Sequence, residues 1–294
     1  MIFAAPITAT ATCFRPEVLV TEPSDFPDPE RVLAAMRQTA KAEVLPRLGR
    51  LAPGEITEKR PGETVTPADT AAEAMLARLL PAIAPAVFVG EECVETDPSL
   101  LGRIQGPGPV WIVDPVDGTT NFSKGIPRFG MIVAYARGGE TLAGWILDPV
   151  NDVAVWAIKG QGAWMAGQRV RATPPAPAAE LSGTVGKRVR EKIEASRAMG
   201  TRNLPRLVPR YGTIALEYLD IARGQLAFMR CVGRLKPWDH AAGVLIHAEA
   251  GGFSELSGGE GAYRPAPPRA RDGILVLAPD RISWESLCAT FAAV

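Results

Sequence analysis

The sequence carries no excess of either charge. Its 294 residues include 32 Lys and Arg against 32 Asp and Glu, and only 6% of the residues are aromatic. A balanced charge gives no reason to expect non-specific binding to nucleic acid or to an anionic membrane, so any recognition of anions has to be local. A nucleic-acid-binding module is disfavoured, because both a basic excess and interleaved aromatic residues are missing.

Cysteine is also scarce. The four cysteines are far apart and form no C-x-x-C pair: they are Cys13, Cys93, Cys231 and Cys288. This spacing suggests neither a zinc site nor a dithiol redox motif. Scattered thiols fit a reducing compartment, so the expected location is the cytoplasm.

Long apolar runs are missing too. No run approaches the roughly 20 apolar residues that cross a bilayer, so we expect no membrane span. The first twenty residues are fairly apolar, but they lack a basic start and contain Pro6. Both a signal peptide and a loosely ordered extension fit that pattern. Residues 1–27 are therefore set apart as an N-terminal extension.

The first half of the remaining chain mixes helices with a run of strands. Asp28-Pro29 is a typical helix start, and Thr66 and Asp69 have the spacing of a capping box at a second helix. Strand-like runs at 129–135, 142–147 and 153–158 are separated by short turns, a pattern typical of an antiparallel meander. We predict an α+β domain over residues 28–172 that carries most of the metal ligands proposed below.

The second half alternates helices with strands. A Pro- and Ala-rich stretch at 173–179 has the composition of a linker. Helices are predicted at 188–199, 214–222, 239–250 and 282–291, with strands at 226–229 and 274–277. We predict an α/β domain over residues 173–294.

Acidic residues stand at the ends of three predicted elements. Glu91 and Glu92 follow a strand at 87–89, Asp114 and Asp117 follow a strand at 110–113, and Asp239 opens a helix. Strand C-termini and helix N-termini are where open α/β sheets build ligand sites. Mg²⁺ prefers oxygen and takes a few carboxylates together with water and substrate phosphate oxygens. Carboxylates from three segments could therefore hold two or three such ions.

The residues around the second acidic pair also suit a phosphate. Pro115 restricts the backbone between the two acids, and Gly118 lets the chain approach a ligand closely. Thr119 and Thr120 then offer backbone N–H groups and hydroxyls, which helix starts commonly present to phosphate.

Four motifs make the chain resemble a known family. Residues 111–122, WIVDPVDGTTNF, are similar to the signature of the inositol monophosphatase family. Gly90-Glu91-Glu92 and the segment 237–243, PWDHAAG, resemble its two other hallmarks, and residues 64–69, TVTPAD, resemble its upstream threonine–aspartate element. The resemblance extends from about residue 28 to the C-terminus. The order and spacing of these motifs make it specific.

The resemblance implies both a fold and an activity. The fold is the layered αβαβα sandwich of the inositol monophosphatase and fructose-1,6-bisphosphatase type. The activity is Mg²⁺-dependent hydrolysis of a small phosphorylated metabolite by metal-activated water, sensitive to lithium. Homodimers are common in the family, so a homodimer is expected.

The resemblance also implies roles for individual residues. The first ion would be held by Glu91, Asp114 and the carbonyl of Val116, and the second by Asp114, Asp117 and Asp239. A third, weaker ion would lie near Glu91 and Asp69. Such ions stabilise the attacking and leaving oxygens of an in-line displacement.

Two further roles follow from the same likeness. Thr119 and Asp69 would help to activate the attacking water. The backbone N–H groups of Gly118 and Thr119 would bind phosphate oxygens.

One stretch departs from the family pattern. Inositol-specific members carry a glutamate a few residues before the Trp-Asp motif, where it binds ring hydroxyls, but residues 230–236 are RCVGRLK. Arg234 and Lys236 would favour a more anionic substrate, such as a bisphosphorylated nucleotide or a sugar bisphosphate. Inositol monophosphate ranks first on family membership, followed by histidinol phosphate, 3′-phosphoadenosine 5′-phosphate and fructose 1,6-bisphosphate. The rival of another class is a non-catalytic binding protein.

Overall fold

The computed structural model describes residues 26–60, 62–258, 261–269 and 273–294. The predicted extension, residues 1–27, lies almost entirely outside them. Eight α-helices are described: α1 (Pro29–Thr39), α2 (Pro67–Ile83), α3 (Glu91–Thr96), α4 (Thr119–Ser123), α5 (Lys187–Ala198), α6 (Ile214–Ala222), α7 (Pro237–Glu249) and α8 (Arg281–Ala293). No helix in these ranges is both long and apolar enough to cross a membrane.

Local chemistry explains where the first two helices begin. Asp28 accepts hydrogen bonds from the backbone N–H groups of Glu30 and Arg31, which the helix leaves without a partner. At α2 the predicted capping box forms, because Thr66 caps the helix and Asp69 accepts the Thr66 N–H in return. Proline at the first position of each helix fixes the backbone for the turn that follows.

The larger sheet has seven strands that lie side by side in chain order. They are β3 (Val87–Gly90), β4 (Pro109–Asp117), β5 (Gly130–Arg137), β6 (Glu140–Asp148), β7 (Val153–Ile158), β8 (Gly162–Met165) and β9 (Gln168–Arg169). Only β3 and β4 are parallel, and every later pair is antiparallel. The predicted meander is therefore confirmed.

The smaller sheet has five strands, and its order departs from chain order. The strands are β10 (Ser182–Thr184), β11 (Arg206–Val208), β12 (Phe228–Cys231), β13 (Phe253–Ser257) and β14 (Ile274–Ala278), arranged β11-β10-β12-β14-β13. The strands β10, β11 and β12 are parallel, so the loops after them emerge at one edge of the sheet. A separate hairpin joins β1 (Thr57–Arg60) to β2 (Glu63–Val65).

Helices and sheets stack in five layers. Helices α1 and α2 cover one face of the seven-stranded sheet, and α6 and α7 cover the other. Helices α6 and α7 also pack on the five-stranded sheet, whose outer face is covered by α5 and α8. This arrangement confirms the αβαβα sandwich. The division at residues 172 and 173 stays a prediction, because a single apolar core cluster joins the two halves.

Four details of the structure differ from the sequence expectation. The strand expected at 110–113 continues to Asp117, so Asp114 and Asp117 lie within β4 and not after it. The polar stretch around residues 58–63 forms the hairpin β1–β2, although its strands offer no apolar alternation. The first helix pattern extends to Val44, but its last turn, Ala40–Val44, is π-helical. The strand expected at 226–229 lies at Phe228–Cys231 instead, which matches the imprecision expected of element boundaries.

Candidate active site

A β-bulge in β4 presents the first two acidic residues. Asp114 pairs with Ile132 and Asp117 with Gly130, so a step of three residues on β4 faces a step of two on β5. Residues three apart on a regular strand point to opposite faces, and the extra residue of a bulge brings them back to one side. Asp114 is 3% exposed, and its Oδ1 accepts the N–H of Val116 at 3.1 Å.

Asp117 is held by a segment almost a hundred residues away. Its Oδ2 accepts a hydrogen bond from the Thr213 hydroxyl at 2.6 Å and another from the Ala215 N–H at 2.6 Å. Gly118 makes this approach possible: its φ is +97°, and a Cβ there would lie 2.9 Å from the Cβ of Thr213. The loop before α6 can reach Asp117 only because residue 118 has no side chain.

Asp69 and Thr119 form a hydrogen-bonded pair. Asp69 is 2% exposed, and its Oδ2 accepts from the N–H and hydroxyl of Thr66 at 2.9 and 2.6 Å. The Thr119 hydroxyl lies 3.0 Å from Asp69 Oδ1 and 3.0 Å from the carbonyl of Val116. Burial raises the pKa of Asp69 to about 6, although the hydrogen bonds from Thr66 and Thr119 oppose the rise.

Glu91 stands at the start of α3, which a buried carboxylate fixes in place. Glu73 on α2 accepts the N–H of Glu92 at 2.8 Å and that of Cys93 at 2.6 Å. The fit at Gly90 is tight, since a Cβ there would lie 2.2 Å from a carboxylate oxygen of Glu73. Glu73 thus takes the place of a cap on α3 and sets the position of Glu91.

Two lysines face the acids around Glu91. Lys236 Nζ lies 3.1 Å from Glu91 Oε1 and 3.4 Å from Glu63 Oε1, and the Lys236 side chain is only 17% exposed. Lys59 Nζ lies 2.5 Å from Glu92 and 3.9 Å from Glu91. Lys236, which the sequence suggested as a phosphate contact, is therefore engaged with two carboxylates.

Asp239 completes the cluster from the first turn of α7. In the described part of the chain no hydrogen bond joins Asp239 to the other acids, but their charges act on it. Burial raises the pKa of Asp239 well above its ordinary value, and the charges of Glu91 and Asp117 raise it further. Burial also raises the pKa of Asp114 well above its ordinary value, and the charge of Glu91 raises it further. Burial likewise raises the pKa of Asp117 to about 6.

The raised pKa values of these carboxylates indicate that the acids lie near one another. Carboxylates repel one another strongly enough to change their ionisation only when they lie close together away from bulk water. The structure therefore brings together acids from α2, α3, β4 and α7. Arg234, by contrast, is exposed on the surface.

The donor set fits a hard divalent cation. Within the described ranges, no group of three or more His, Cys, Asp or Glu side chains is arranged as a ready-made metal cage. Mg²⁺ does not require one, since it keeps several waters and uses one or two carboxylates together with substrate phosphate. The carboxylate cluster supplies only oxygen donors, and a cation would relieve the repulsion between its charges. Lys236 already places a positive charge against Glu91.

Sequence reasoning missed four residues that shape the site. Thr213 bonds to Asp117, Glu73 fixes α3, Lys59 pairs with Glu92, and Glu217 organises the loop before α6. A signal existed for Glu73 alone. It lies four residues after Asp69 and three before Leu76, so it is a charged residue on the buried face of α2.

Glu217 contacts two neighbouring segments directly and a third through Arg210. Its carboxylate is 1% exposed and accepts from the Thr184 hydroxyl at 2.7 Å and the Tyr211 N–H at 3.0 Å. It also forms an ion pair with Arg210, whose Nε lies 3.1 Å from Glu217 Oε1. Arg210 also donates to the carbonyl of Arg230 at 3.3 Å. Glu217 therefore ties β10, the loop at 209–213 and β12 together next to Thr213.

Comparison with known proteins identifies the family of the chain. The sequence profile of the inositol monophosphatase family matches residues 28–291. The chain belongs to the inositol monophosphatase family. Enzymes of this family are phosphatases that hydrolyse phosphate monoesters and are generally metal-dependent, and this chain is a phosphoric monoester hydrolase of that type.

Individual relatives extend the likeness. An inositol-1-monophosphatase of Mesorhizobium japonicum is 34% identical over 220 residues, covering 70% of this chain and 77% of that protein. A fructose-1,6-bisphosphatase/inositol-1-monophosphatase of Thermotoga maritima is 35% identical over 152 residues, which span 51% of this chain and 58% of that protein. The solved structure of an inositol monophosphatase from Thermotoga maritima superposes with a TM-score of 0.70 at 25% identity, covering 88% of this chain and 94% of that one.

Proposed function

We propose that this family member uses Mg²⁺ to hydrolyse a small phosphorylated metabolite. The observation that carries the proposal is the convergence of carboxylates from four elements into one mutually repelling cluster, in which Asp69 and Asp114 are buried and Glu91, Asp117 and Asp239 are half-buried. A structural core has no use for such a cluster, because buried charges cost free energy unless they are paired or coordinate metal. The hydroxyl of Thr119 lies next to this cluster, where a phosphate can reach it.

The proposed ligands of two or three Mg²⁺ ions are Glu91, Asp114, the carbonyl of Val116, Asp117 and Asp239. Bound there, Mg²⁺ would polarise the phosphate oxygens and lower the pKa of a coordinated water. The carbonyl of Val116 accepts from the Thr119 hydroxyl at 3.0 Å and has a second lone pair that a cation can take. Thr213 suits a supporting role, since its hydrogen bond fixes one oxygen of Asp117 and leaves the other available.

Asp69 and Thr119 are proposed to handle the proton of the attacking water. The Thr119 hydroxyl is within hydrogen-bond distance of Asp69 Oδ1. It can therefore donate to that carboxylate and at the same time accept a hydrogen bond from a water beside it. With a pKa of about 6, Asp69 is ionised at neutral pH and can accept that proton. The backbone N–H groups of Gly118, Thr119 and Thr120 are proposed to hold the phosphate oxygens.

The substrate candidates are inositol monophosphate, histidinol phosphate, 3′-phosphoadenosine 5′-phosphate and fructose 1,6-bisphosphate. The names of the Mesorhizobium and Thermotoga relatives support the first and the last of these. The proposal also includes inhibition by lithium, a homodimer and a cytoplasmic location, each on family likeness alone.

The test is phosphate release from those four substrates with Mg²⁺ and then with excess EDTA. We expect release from at least one substrate in Mg²⁺ and its loss in EDTA. Release that persists in EDTA would contradict the role of the metal. Absence of release from all four, with Mg²⁺ binding still seen by calorimetry, would favour the non-catalytic rival.

A further inference from the structure

Two lysine side chains approach the same carboxylate oxygen of the cluster. Lys236 Nζ is 3.1 Å from Glu91 Oε1, and Lys59 Nζ is 3.9 Å from that same atom. Lys59 also forms an ion pair with Glu92 at 2.5 Å. Both lysines are largely withdrawn from water, since the side chain of Lys59 is 12% exposed and that of Lys236 is 17% exposed. Salt therefore screens these pairs less than it screens ion pairs on the surface.

Lys59 stands among the acids that the family likeness assigns to the third, weaker ion. Burial disfavours its charged form, but the hydrogen bond to Glu92 outweighs burial and raises the pKa of Lys59. The charges of Glu91 and Asp69 raise that pKa further. Charges affect one another this strongly only over short distances away from bulk water. The ammonium group of Lys59 is therefore in the part of the cluster that contains Glu91 and Asp69.

Lys236 shares Glu91 but has a different second partner. Its other ion pair is with Glu63, at 3.4 Å, whereas that of Lys59 is with Glu92. Burial opposes the charge of Lys236, but the charges of Glu91 and Asp239 outweigh burial and raise its pKa. Lys236 is thus coupled to the acid at the start of α7, and Lys59 to the acid at the start of α2.

The hairpin that carries Lys59 is held in place by charged side chains. Arg60 on β1 donates to both carboxylate oxygens of Glu95 on α3, at 2.9 and 2.8 Å. Glu63 on β2 pairs with Lys236, the residue before α7. A bidentate pair between arginine and a carboxylate fixes direction as well as distance. These contacts define the position of the hairpin and, with it, the position of Lys59.

A fixed ammonium group changes what a further cation would gain at this place. Mg²⁺ binds through carboxylate oxygens and water, but Oε1 of Glu91 already has two ammonium groups near it. A divalent ion beside those groups would be repelled by both of them. The first ion can still use the second oxygen of Glu91, because both lysine distances are to Oε1.

We propose that Lys59 takes the place of the third Mg²⁺ ion, so that this protein binds two Mg²⁺ ions and no third. The inference rests on the proposed metal-dependent function. It deepens that function by narrowing two or three ions to two and by naming the residue that sets the number. With its own charge, Lys59 supplies part of the electrostatic stabilisation that a third ion would give.

The experiment counts bound metal ions directly. Metal-free protein is titrated with Mn²⁺, because free Mn²⁺ gives a measurable EPR signal and takes the same carboxylate and water ligands as Mg²⁺. We expect the wild type to bind two ions per chain. Lys59→Met removes the charge but keeps an unbranched side chain, and it should bind three. The third ion should bind to this variant about tenfold or more tightly than any further ion binds to the wild type.

Two further variants serve as controls. Lys59→Arg keeps the positive charge, so its count should stay at two. Lys159→Met removes a lysine that pairs with Glu140 at the surface, with both side chains nearly half exposed, and it should also bind two ions. A melting curve for each variant shows that it is folded. If Lys59→Met unfolds in the assay, the wild-type count and the Lys59→Arg count decide the matter.

The outcomes separate this inference from the proposed function. Three ions on the wild type, or only two on a folded Lys59→Met variant, would overturn the role of Lys59. Either result would leave the metal-dependent phosphatase standing. Phosphate release that persists in excess EDTA would instead overturn the metal-dependent function, and the role of Lys59 with it.

Discussion

Buried charge governs the behaviour of individual residues in this site. Asp114 is the clearest case, because burial and the neighbouring carboxylates both disfavour its ionised form. Its replacement by asparagine keeps the shape and removes the charge. We expect Asp114→Asn to lower kcat/KM on the order of a thousandfold, since the loss of metal-derived charge stabilisation is worth several kcal/mol. The measurement is phosphate release in saturating Mg²⁺.

The melting temperature shows whether Asp114→Asn loses activity through lost metal binding or through unfolding. In EDTA the Asp114→Asn protein should melt at the same or a higher temperature than the wild type, because one repelling charge has been removed. Asp152→Asn is the matched control: Asp152 is exposed and pairs with Arg37 at 2.6 Å, remote from the cluster. Near-normal activity of Asp114→Asn would rule out the ligand assignment.

Glu217 acts on the site through other residues. We expect Glu217→Gln to destabilise the fold by about 1–3 kcal/mol, since a buried network loses an acceptor for a charged partner. We also expect a lower kcat/KM, because the loop that holds Thr213 against Asp117 loses its support. Thermal melting and kinetics on the same preparation test both effects. Unchanged kinetics beside a lowered melting temperature would assign Glu217 a purely structural role.

At the scale of elements, activity depends on the contact between the end of β4 and the loop before α6. Gly118 has a positive φ, and its missing Cβ makes room for Thr213. We expect Gly118→Ala to cost about 1–3 kcal/mol in strain and to displace Thr213 from Asp117. Activity should fall by more than the loss of stability alone explains.

Gly167 provides the matched control for the Gly118→Ala variant. Its φ is +72°, but a Cβ there meets nothing within 4 Å. Gly167→Ala should therefore show the strain in melting experiments without a loss of phosphatase activity. Equal activity losses in the two variants would mean that the Gly118 contact has no special part in the site.

At the scale of the whole molecule, the raised carboxylate pKa values make stability depend on pH. Asp69 and Asp117 have folded-state pKa values of about 6, above their ordinary values, so between about pH 4 and pH 6 the native state binds more protons than the unfolded state. Their contribution to the stability of the metal-free protein therefore falls as pH rises through that window. Burial lowers the pKa values of His240 and His247, which act in the opposite direction below about pH 6.5.

Metal binding should reverse the pH dependence that these carboxylates give to the stability of the protein. Mg²⁺ needs ionised ligands and must displace protons at low pH. We expect the rise in melting temperature caused by Mg²⁺ to be larger at about pH 7.5 than at about pH 5. Thermal melts with Mg²⁺ or EDTA at both pH values measure it, with Ca²⁺-free buffer throughout. A rise that is independent of pH would contradict binding by this carboxylate cluster.

Local patterns in the sequence were enough for much of the fold. The starts of α1 and α2, the meander and the helices α5 to α8 follow from capping residues and apolar periodicity, which depend on neighbours a few positions away. Strands β10 and β11 were missed because three residues are too few to show a pattern. The order of the acidic motifs indicated the family, which the match over residues 28–291 then confirmed.

Tertiary structure alone decided which groups meet. The Thr213 hydroxyl reaches Asp117 across 96 positions, and Lys236 reaches Glu91 across 145. By itself, the sequence determined the acidic motifs and most helices and strands, because those depend on local order. Only the fold decided which cation faces which carboxylate, because Coulomb interactions depend on distance in space, which separation along the chain does not determine.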